Sequence, residues 1–429
     1  MPSSPKTSFP KEKIRVVLLE GIQPGAREVS AREGVSVTTF EKALEGAALR
    51  KAIADAGGAH VLGIRSKTTL TPEMLDISPR LLTVGAFCIG TNQIDVDHSR
   101  GRGICVFNSP FSNTRSVAEL TIAEIIALHR RLLDQSAAMH KGKWDKSAAG
   151  AHEVRGRTLG IVGYGHIGSQ VSVLAEAMGM RVIFHDIASK LPLGNARQCR
   201  NLDELLRESD VVTLHVPETA GTVNLIAKAQ LKAMRPGAFL INNARGKVVD
   251  VPSLAAAIRS GALAGAALDV FPHEPAGKDE AFKSELMGLP NVILTPHVGG
   301  STEEAQRSIA EDVVGKLVRF LNNGSTTGSV NLPEVELPEQ TLPEHEAADG
   351  QTTPARRFHR ILHLHKNVPG VMKKINNVVG ARNVNVSAQY LRTQGDLGYV
   401  VMDIEPQQGR ASFDELRDMS ETVRARVLW

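Results

Sequence analysis

Apolar and polar positions along this chain fall into blocks whose rhythm changes partway through. Short apolar runs come first, at residues 14–19, 59–64, 81–84 and 104–107, each followed by a polar or glycine-bearing turn. A second set occupies 159–162, 182–184, 211–214, 238–242, 264–270 and 292–294. Compact apolar runs bounded by turns are what strands buried on both faces show. Alternating with helical stretches, they predict parallel, doubly wound sheets. Between the two sets, residues 116–133 are apolar on nearly every side through Val117, Leu120, Ile122, Ile125, Ile126, Leu128 and Leu132. That pattern predicts one buried helix crossing between domains.

After the second set, Ser301-Thr302-Glu303-Glu304 opens a helix with a capping-box pattern, and Ala305, Ile309, Val313, Leu317 and Leu321 recur at helical spacing. Such a helix would return the chain to its first domain. The expected division is therefore a discontinuous domain of residues 1–113 and 301–332, wrapped around a second of 114–300. Residues 333–356, rich in Pro, Glu and small polar residues, predict a linker, and residues 1–13 a loose polar arm. From 357 to 429 the order is strand, helix, strand, strand, helix, strand, a ferredoxin-like plait. It holds no acid, base and nucleophile set, which points to binding rather than chemistry.

The first chemistry is in the second domain. Gly163-x-Gly165-x-x-Gly168 follows the strand at 159–162 at once, opens a helix that stops at Gly179, and leads to a second strand with Asp186 beyond it. Gly163 allows a tight turn, Gly165 lets backbone approach a pyrophosphate, and Gly168 lets helix and strand pack. The helix N-terminus offers free N–H groups to phosphates. Asp186 can accept both adenosine ribose hydroxyls and would repel a 2′-phosphate, favouring NAD over NADP. Two Rossmann-like domains are thus expected, the second binding the nucleotide. Loops beyond the carboxyl ends of its strands carry His215-Val216-Pro217, Asn243-Ala244-Arg245-Gly246, Asp269 through Glu274, and His297-Val298-Gly299-Gly300, where such folds place function.

Composition narrows the classes. The chain has 429 residues, 42% hydrophobic and 4% aromatic, enough for conventional cores built on aliphatic side chains. The 50 basic residues nearly balance 46 acidic ones, so net charge argues against a nucleic-acid surface. Three scattered cysteines fit a reducing compartment and neither a disulfide framework nor a metal site. No apolar run is long enough to span a membrane and no signal peptide opens the chain; a cytoplasmic enzyme with no resident metal is expected.

Hydride transfer from a secondary alcohol to NAD needs a base for the hydroxyl proton, a cation for the substrate, and a group that sets the pKa of the base. His297 can exchange the proton, Arg245 offers a planar fork for a carboxylate, and Glu274 can fix the imidazole tautomer. Local basic residues could serve an anionic substrate.

The sequence resembles the D-isomer-specific 2-hydroxyacid dehydrogenase family, in the form ending in an ACT domain. The resemblance runs from about residue 61 to 429 through CIGTNQID (88–95), NSPFSNTRSVAEL (108–120), GKWDKSAAG (142–150), LGIVGYGHIG (159–168), DVFPHEP (269–275) and LTPHVGGST (294–302). It implies Arg245, Glu274 and His297 as the catalytic set. It implies NAD contacts from His166, Ile167, Asp186, Asn243, Ala244, Arg245, Asp269, His297, Val298, Gly299 and Gly300. The reaction implied is oxidation of 3-phosphoglycerate to 3-phosphohydroxypyruvate, the committed step of L-serine biosynthesis. Arg65, with Ser66 and Lys67, matches the phosphate-binding position, and Lys146 matches a residue that reaches the site from a neighbouring subunit. In the plait, HLHKNVPGV (363–371) and NVNVSAQYL (383–391) are similar to the serine-binding form. There His365, Asn367 and Asn385 would hold L-serine as feedback inhibitor of a homotetramer, through hinge motion for which Gly299-Gly300 is a candidate. The alternatives are a dehydrogenase for another D-2-hydroxyacid, such as glycerate, lactate or 2-hydroxyglutarate, and a non-catalytic NAD-sensing scaffold.

Overall fold

The structure is a computed structural model. It describes residues 11–275, 280–338, 344–346, 352–354, 359–404 and 409–428. The arm expected at 1–13 lies outside these up to residue 10, and Lys11–Lys13 form a single 3-10 turn. The chain divides into two compact units, Phe111–Gln306 and the pair Met1–Pro110 with Arg307–Trp429.

Phe111–Gln306 is built on a seven-stranded parallel sheet. Its spatial order is Val292–Leu294, Leu263–Leu268, Ala238–Asn242, Val211–Leu214, Thr158–Val162, Arg181–His185, Arg197–Gln198. The central strand Thr158–Val162 is buried at all five positions, which is why it reads as one continuous apolar run. It pairs with Arg181–His185 on one side and Val211–Leu214 on the other, so the winding direction reverses at its carboxyl end. That reversal opens the crevice where such sheets bind ligands. The crossing helix expected over 116–133 is shorter than its apolar pattern suggests. Thr114–Arg130 ends at Arg131, whose φ of 49° is left-handed, and a second helix, Leu132–His140, buries none of its residues. Leu132 and Leu133 belong to that exposed helix.

The other unit carries two sheets. One is parallel and five-stranded, in the order Ser36–Thr39, Arg15–Leu18, Val61–Ile64, Thr83–Ala86, Cys105–Phe107. The returning helix Glu303–Asn323 packs Ile309, Val313, Leu317 and Leu321 against one face of it. The second sheet is antiparallel, ordered Val386–Gln394, Leu397–Ile404, His359–Lys366, Thr422–Leu428, and with the helices Val371–Gly380 and Gly409–Arg417 it forms the expected plait. Ile361, Val400, Met402 and Ile404 face those helices. Leu362, Leu364, Tyr399 and Val401 face the other way, into the core that contains Phe107, Phe320 and Leu321. Coverage on both faces explains why all eight positions of Leu397–Ile404 are buried.

The linker expected at 333–356 begins differently. Val335 and Leu337 are buried in the same core, and Thr326 and Ser325 bind the backbone around them. Farther on, Glu344–Glu346 pairs antiparallel with Thr352–Pro354; the rest of the segment from 339 to 358 lies outside the described residues. Proline and glutamate content made this stretch read as solvated, yet its two aliphatic side chains are enough to anchor its start.

Candidate active site

The glycine turn has the geometry its spacing predicts. Gly163 has φ +92°, and a Cβ there would stand 2.4 Å from the His215 carbonyl oxygen. A Cβ at Gly168 would stand 2.2 Å from the Gly163 oxygen, so the helix His166–Ala177 lies directly on the turn. Gly165 caps that helix with no side-chain hydrogen bond, and nothing lies within 4 Å of where its Cβ would be. The helix N-terminus thus carries no side-chain cap and the backbone at Gly165 is open to approach, a fit for a pyrophosphate at the positive end of the helix. Asp186 directly follows the neighbouring strand Arg181–His185; its carboxylate accepts from Tyr164 N at 2.8 Å and Ala188 N at 3.0 Å, and retains lone pairs for a ribose diol. His166, exposed at the helix start, stacks on Phe111 with ring centroids 3.7 Å apart, while Ile167 beside it is half-buried.

Strand register brings the other loops to one edge. Asn242 pairs with both Leu214 and Leu268, and Leu268 with Leu294, so the loops after all four strands emerge together. Asp269, buried, accepts from Thr295 Oγ1 at 2.6 Å, Val298 N at 2.8 Å and Gly299 N at 2.7 Å. These bonds hold the segment running through His297, whose own φ of 55° is unusual for a residue with a side chain. His297 Nδ1 lies 2.9 Å from Glu274 Oε2, and Phe271 N donates to Glu274 Oε1 at 3.1 Å. The bond to Glu274, helped by its charge and that of Asp269, raises the His297 pKa against partial burial and the Arg245 charge. Burial works against the Glu274 charge, but His297, the Phe271 amide and Arg245 leave its carboxyl below the ordinary value. Arg245 thus acts electrostatically on both. Its loop is pressed against the acid's loop: a Cβ at Gly246 would stand 2.0 Å from the Phe271 carbonyl carbon. Arg245 Nη1 donates to Ala244 O at 2.7 Å.

The side chains of two expected cofactor contacts point elsewhere. The Asn243 side chain turns inward, donating to Glu124 Oε2 at 2.7 Å and Thr121 Oγ1 at 3.0 Å. The His215 ring bonds back to Thr213 Oγ1 at 3.0 Å, and burial pushes its pKa down to about 3, so it is a neutral packing group. What it presents to the glycine turn is its carbonyl. Of its neighbours, Val216 is half-buried and Pro217 exposed. Lys146 stands exposed.

In the other unit, Arg65, Ser66 and Lys67 follow the strand Val61–Ile64, with Ser66 and Lys67 exposed and Arg65 half-buried. The backbone amides of Arg65, Lys67 and Thr68 all donate to the Glu20 carboxylate, at 3.1, 3.0 and 2.8 Å. Those three N–H groups are therefore committed, and an external anion would meet chiefly the side chains of this loop. Sequence reasoning passed over Glu20 and Glu124; the visible signal for Glu124 was a lone acid inside the apolar stripe of its helix. In the plait, Asn367 and Asn385 are exposed, and Asn367 Nδ2 donates to Gly395 O at 3.1 Å. His365 is fully buried instead, with Nδ1 on Lys366 O at 2.9 Å and no partner on Nε2. Among the described residues no cluster of His, Cys, Asp and Glu is placed to hold a metal, and no helix is long and apolar enough to cross a membrane.

With that geometry in place, comparison with known proteins is decisive. Residues 122–299 match the NAD-binding domain of the D-isomer specific 2-hydroxyacid dehydrogenases. D-3-phosphoglycerate dehydrogenase of Haemophilus influenzae is 50% identical over 99% of both chains. The chain belongs to the D-3-phosphoglycerate dehydrogenases, within the D-isomer specific 2-hydroxyacid dehydrogenase family. The enzyme of that name from Escherichia coli K12 is 46% identical over 99% of this chain and 100% of its own. Residues 361–424 match an ACT domain of the kind described as AHAS small subunit-like. Among solved structures, the TT0316 protein of Thermus thermophilus superposes with a TM-score of 0.67 at 33% identity, covering 74% of this chain and 100% of that one. The D-lactate dehydrogenase of Aquifex aeolicus, complexed with NAD and lactic acid, gives 0.64 at 29%, with coverage of 74% and 100%. The chain is accordingly an NAD-binding oxidoreductase with a C-terminal ACT domain.

Proposed function

We propose that the chain oxidises the C2 hydroxyl of 3-phosphoglycerate to give 3-phosphohydroxypyruvate, as the names of its relatives suggest. The observation that carries the reading is the His297–Glu274 hydrogen bond, formed under the charge of Arg245 at the edge that also bears the glycine turn. Gly163, Gly165 and Gly168 would hold the pyrophosphate of NAD and Asp186 its ribose, and the cofactor would supply the hydride acceptor. Arg245 holds the substrate carboxylate and polarises the C2 oxygen. With Nδ1 committed to Glu274, His297 takes the hydroxyl proton at Nε2, and Glu274 steadies the imidazolium that forms. Arg65, with Ser66 and Lys67, takes the phosphate. Lys146 acts from a neighbouring subunit in a homotetramer, and the enzyme works in the cytoplasm.

The test is NADH formation by purified protein on 3-phosphoglycerate, compared with glycerate, lactate and 2-hydroxyglutarate. Preference for an unphosphorylated acid would overturn the substrate, and no turnover on any would overturn the reaction. We further propose that L-serine inhibits through Asn367 and Asn385 of the ACT domain. Titrating serine into wild-type and Asn367→Ala enzyme should show inhibition that the variant loses.

A further inference from the structure

One acidic residue in the nucleotide-binding unit has no place in the chemistry above. Glu124 lies on the inner side of Thr114–Arg130 and is 3% exposed. Its Oε2 accepts from Asn243 Nδ2 at 2.7 Å. The same nitrogen donates to Thr121 Oγ1 at 3.0 Å, and the Thr121 hydroxyl in turn donates to Val117 O at 2.9 Å. Glu124 Oε1 and Asn243 Oδ1 are buried with no partner. The charged group that bears on Glu124 is Asp269, just past the strand Leu263–Leu268, and it is already supplied with three donors. A carboxylate holding one N–H, with its second oxygen unbonded and another carboxylate nearby, is a poor place for negative charge. The neutral acid is favoured there over the carboxylate. Burial, with Asp269 adding to it and the Asn243 bond opposing, pushes the group up to about 8.

Asn243 is where this matters. It is the first residue past the strand Ala238–Asn242, two residues before Arg245, and its side chain is the link between that loop and the helix Thr114–Arg130. We propose that Glu124, through the Asn243 side chain, is a positioning residue for the loop that carries Arg245. The inference rests on the reading of Arg245 as the substrate's carboxylate-binding group. Glu124 does this work in its neutral form, in which one oxygen accepts from the Asn243 amide and no charge opposes Asp269.

Three purified proteins test it: wild type, Glu124→Gln and Glu124→Ala. Gln keeps a neutral acceptor of the same length and rescues the loop, with kcat and KM for the hydroxyacid within about threefold of wild type. Ala removes the link and raises that KM by about tenfold or more, since substrate binding is what a displaced Arg245 loses first. The second measurement needs no turnover. A group whose folded pKa is raised stabilises below its unfolded value, and that contribution is lost as pH rises through the folded value near 8. The wild-type unfolding midpoint should therefore fall between about pH 5 and 8 more steeply than that of Glu124→Gln. A Gln variant as impaired as Ala, an Ala variant with unchanged KM, or equal pH slopes for wild type and Gln would overturn the inference. Wild-type protein unable to oxidise 3-phosphoglycerate would instead sink the proposed function, and the unfolding comparison would still report on Glu124.

Discussion

His297 Nδ1 stands 2.9 Å from Glu274 Oε2, which commits one ring nitrogen to a carboxylate and leaves Nε2 to exchange a proton. The tautomer follows from that bond, since a carboxylate accepts and Nδ1 must donate. Because Glu274 raises the His297 pKa, hydroxyacid oxidation, which needs neutral imidazole, should rise with pH through a value above the ordinary histidine one. Glu274→Gln removes the charge and should move that limb to lower pH. In the reverse direction, which needs imidazolium, the alkaline loss of activity should move down as well. Profiles of kcat/KM against pH in both directions check this, and a limb that stays put would remove Glu274 from the role. His297→Asn should lower kcat by about 10²–10⁴.

Asp186 is anchored by the Tyr164 and Ala188 amides, so it cannot easily swing aside for a 2′-phosphate. Asp186→Ala should raise kcat/KM for NADP relative to NAD by about tenfold or more, the order expected from removing a like charge a few ångströms away near a protein surface. An unchanged ratio would show that selectivity is set elsewhere.

Arg65 projects from a loop in which its own amide and those of Lys67 and Thr68 are already taken by Glu20. Its guanidinium, beside the Ser66 and Lys67 side chains, is the fork suited to a phosphate, and Arg65→Ala should cost about 1.5–3 kcal/mol of binding, roughly tenfold to a hundredfold in KM for 3-phosphoglycerate. The slower reaction with glycerate should hardly change. Equal losses on both substrates would contradict the assignment.

Arg360 is fully buried and paired through both Nε and Nη2 with Asp403, at 2.7 and 2.8 Å. Its Nη1 reaches the carbonyls of Asn323 and Pro338, both at 3.2 Å. Asp403→Ala strands a buried cation and should destabilise the fold by about 3–5 kcal/mol in urea titration. Replacing both residues, as Arg360→Met with Asp403→Leu, should cost much less. A single variant as stable as wild type would mean that water reaches the site.

How far the sequence carried each of these points depends on whether the decisive partner is local. The glycine turn and Asp186 were legible because spacing within one strand–helix–strand unit fixes their geometry. The plait was legible from its rhythm. Glu274 and His297 could be named, but their bond depends on Leu268 and Leu294 lying side by side, and pairing is a tertiary fact. The resemblance implies Asn243 as a cofactor contact; only the buried acid on the helix Thr114–Arg130 shows where its side-chain amide goes. The break at Arg131 was hidden because Leu132 and Leu133 continue the apolar pattern while standing exposed. His365 lies on a strand covered on both faces, which alternation alone could not reveal.

Tyr399 donates to Gly324 O at 2.8 Å, and Arg424 reaches the carbonyls of Leu81 and Gly103. Arg100 spans from its own helix to Asp396 and to the carbonyl of Asn331. With Leu362 and Tyr399 seated in the same interior as Phe320 and Leu332, the C-terminal tail is not a detachable cartridge. A stop codon after Pro338 would leave a greasy scar on what remained, and shortened proteins made that way should precipitate unless that scar is repainted with polar side chains.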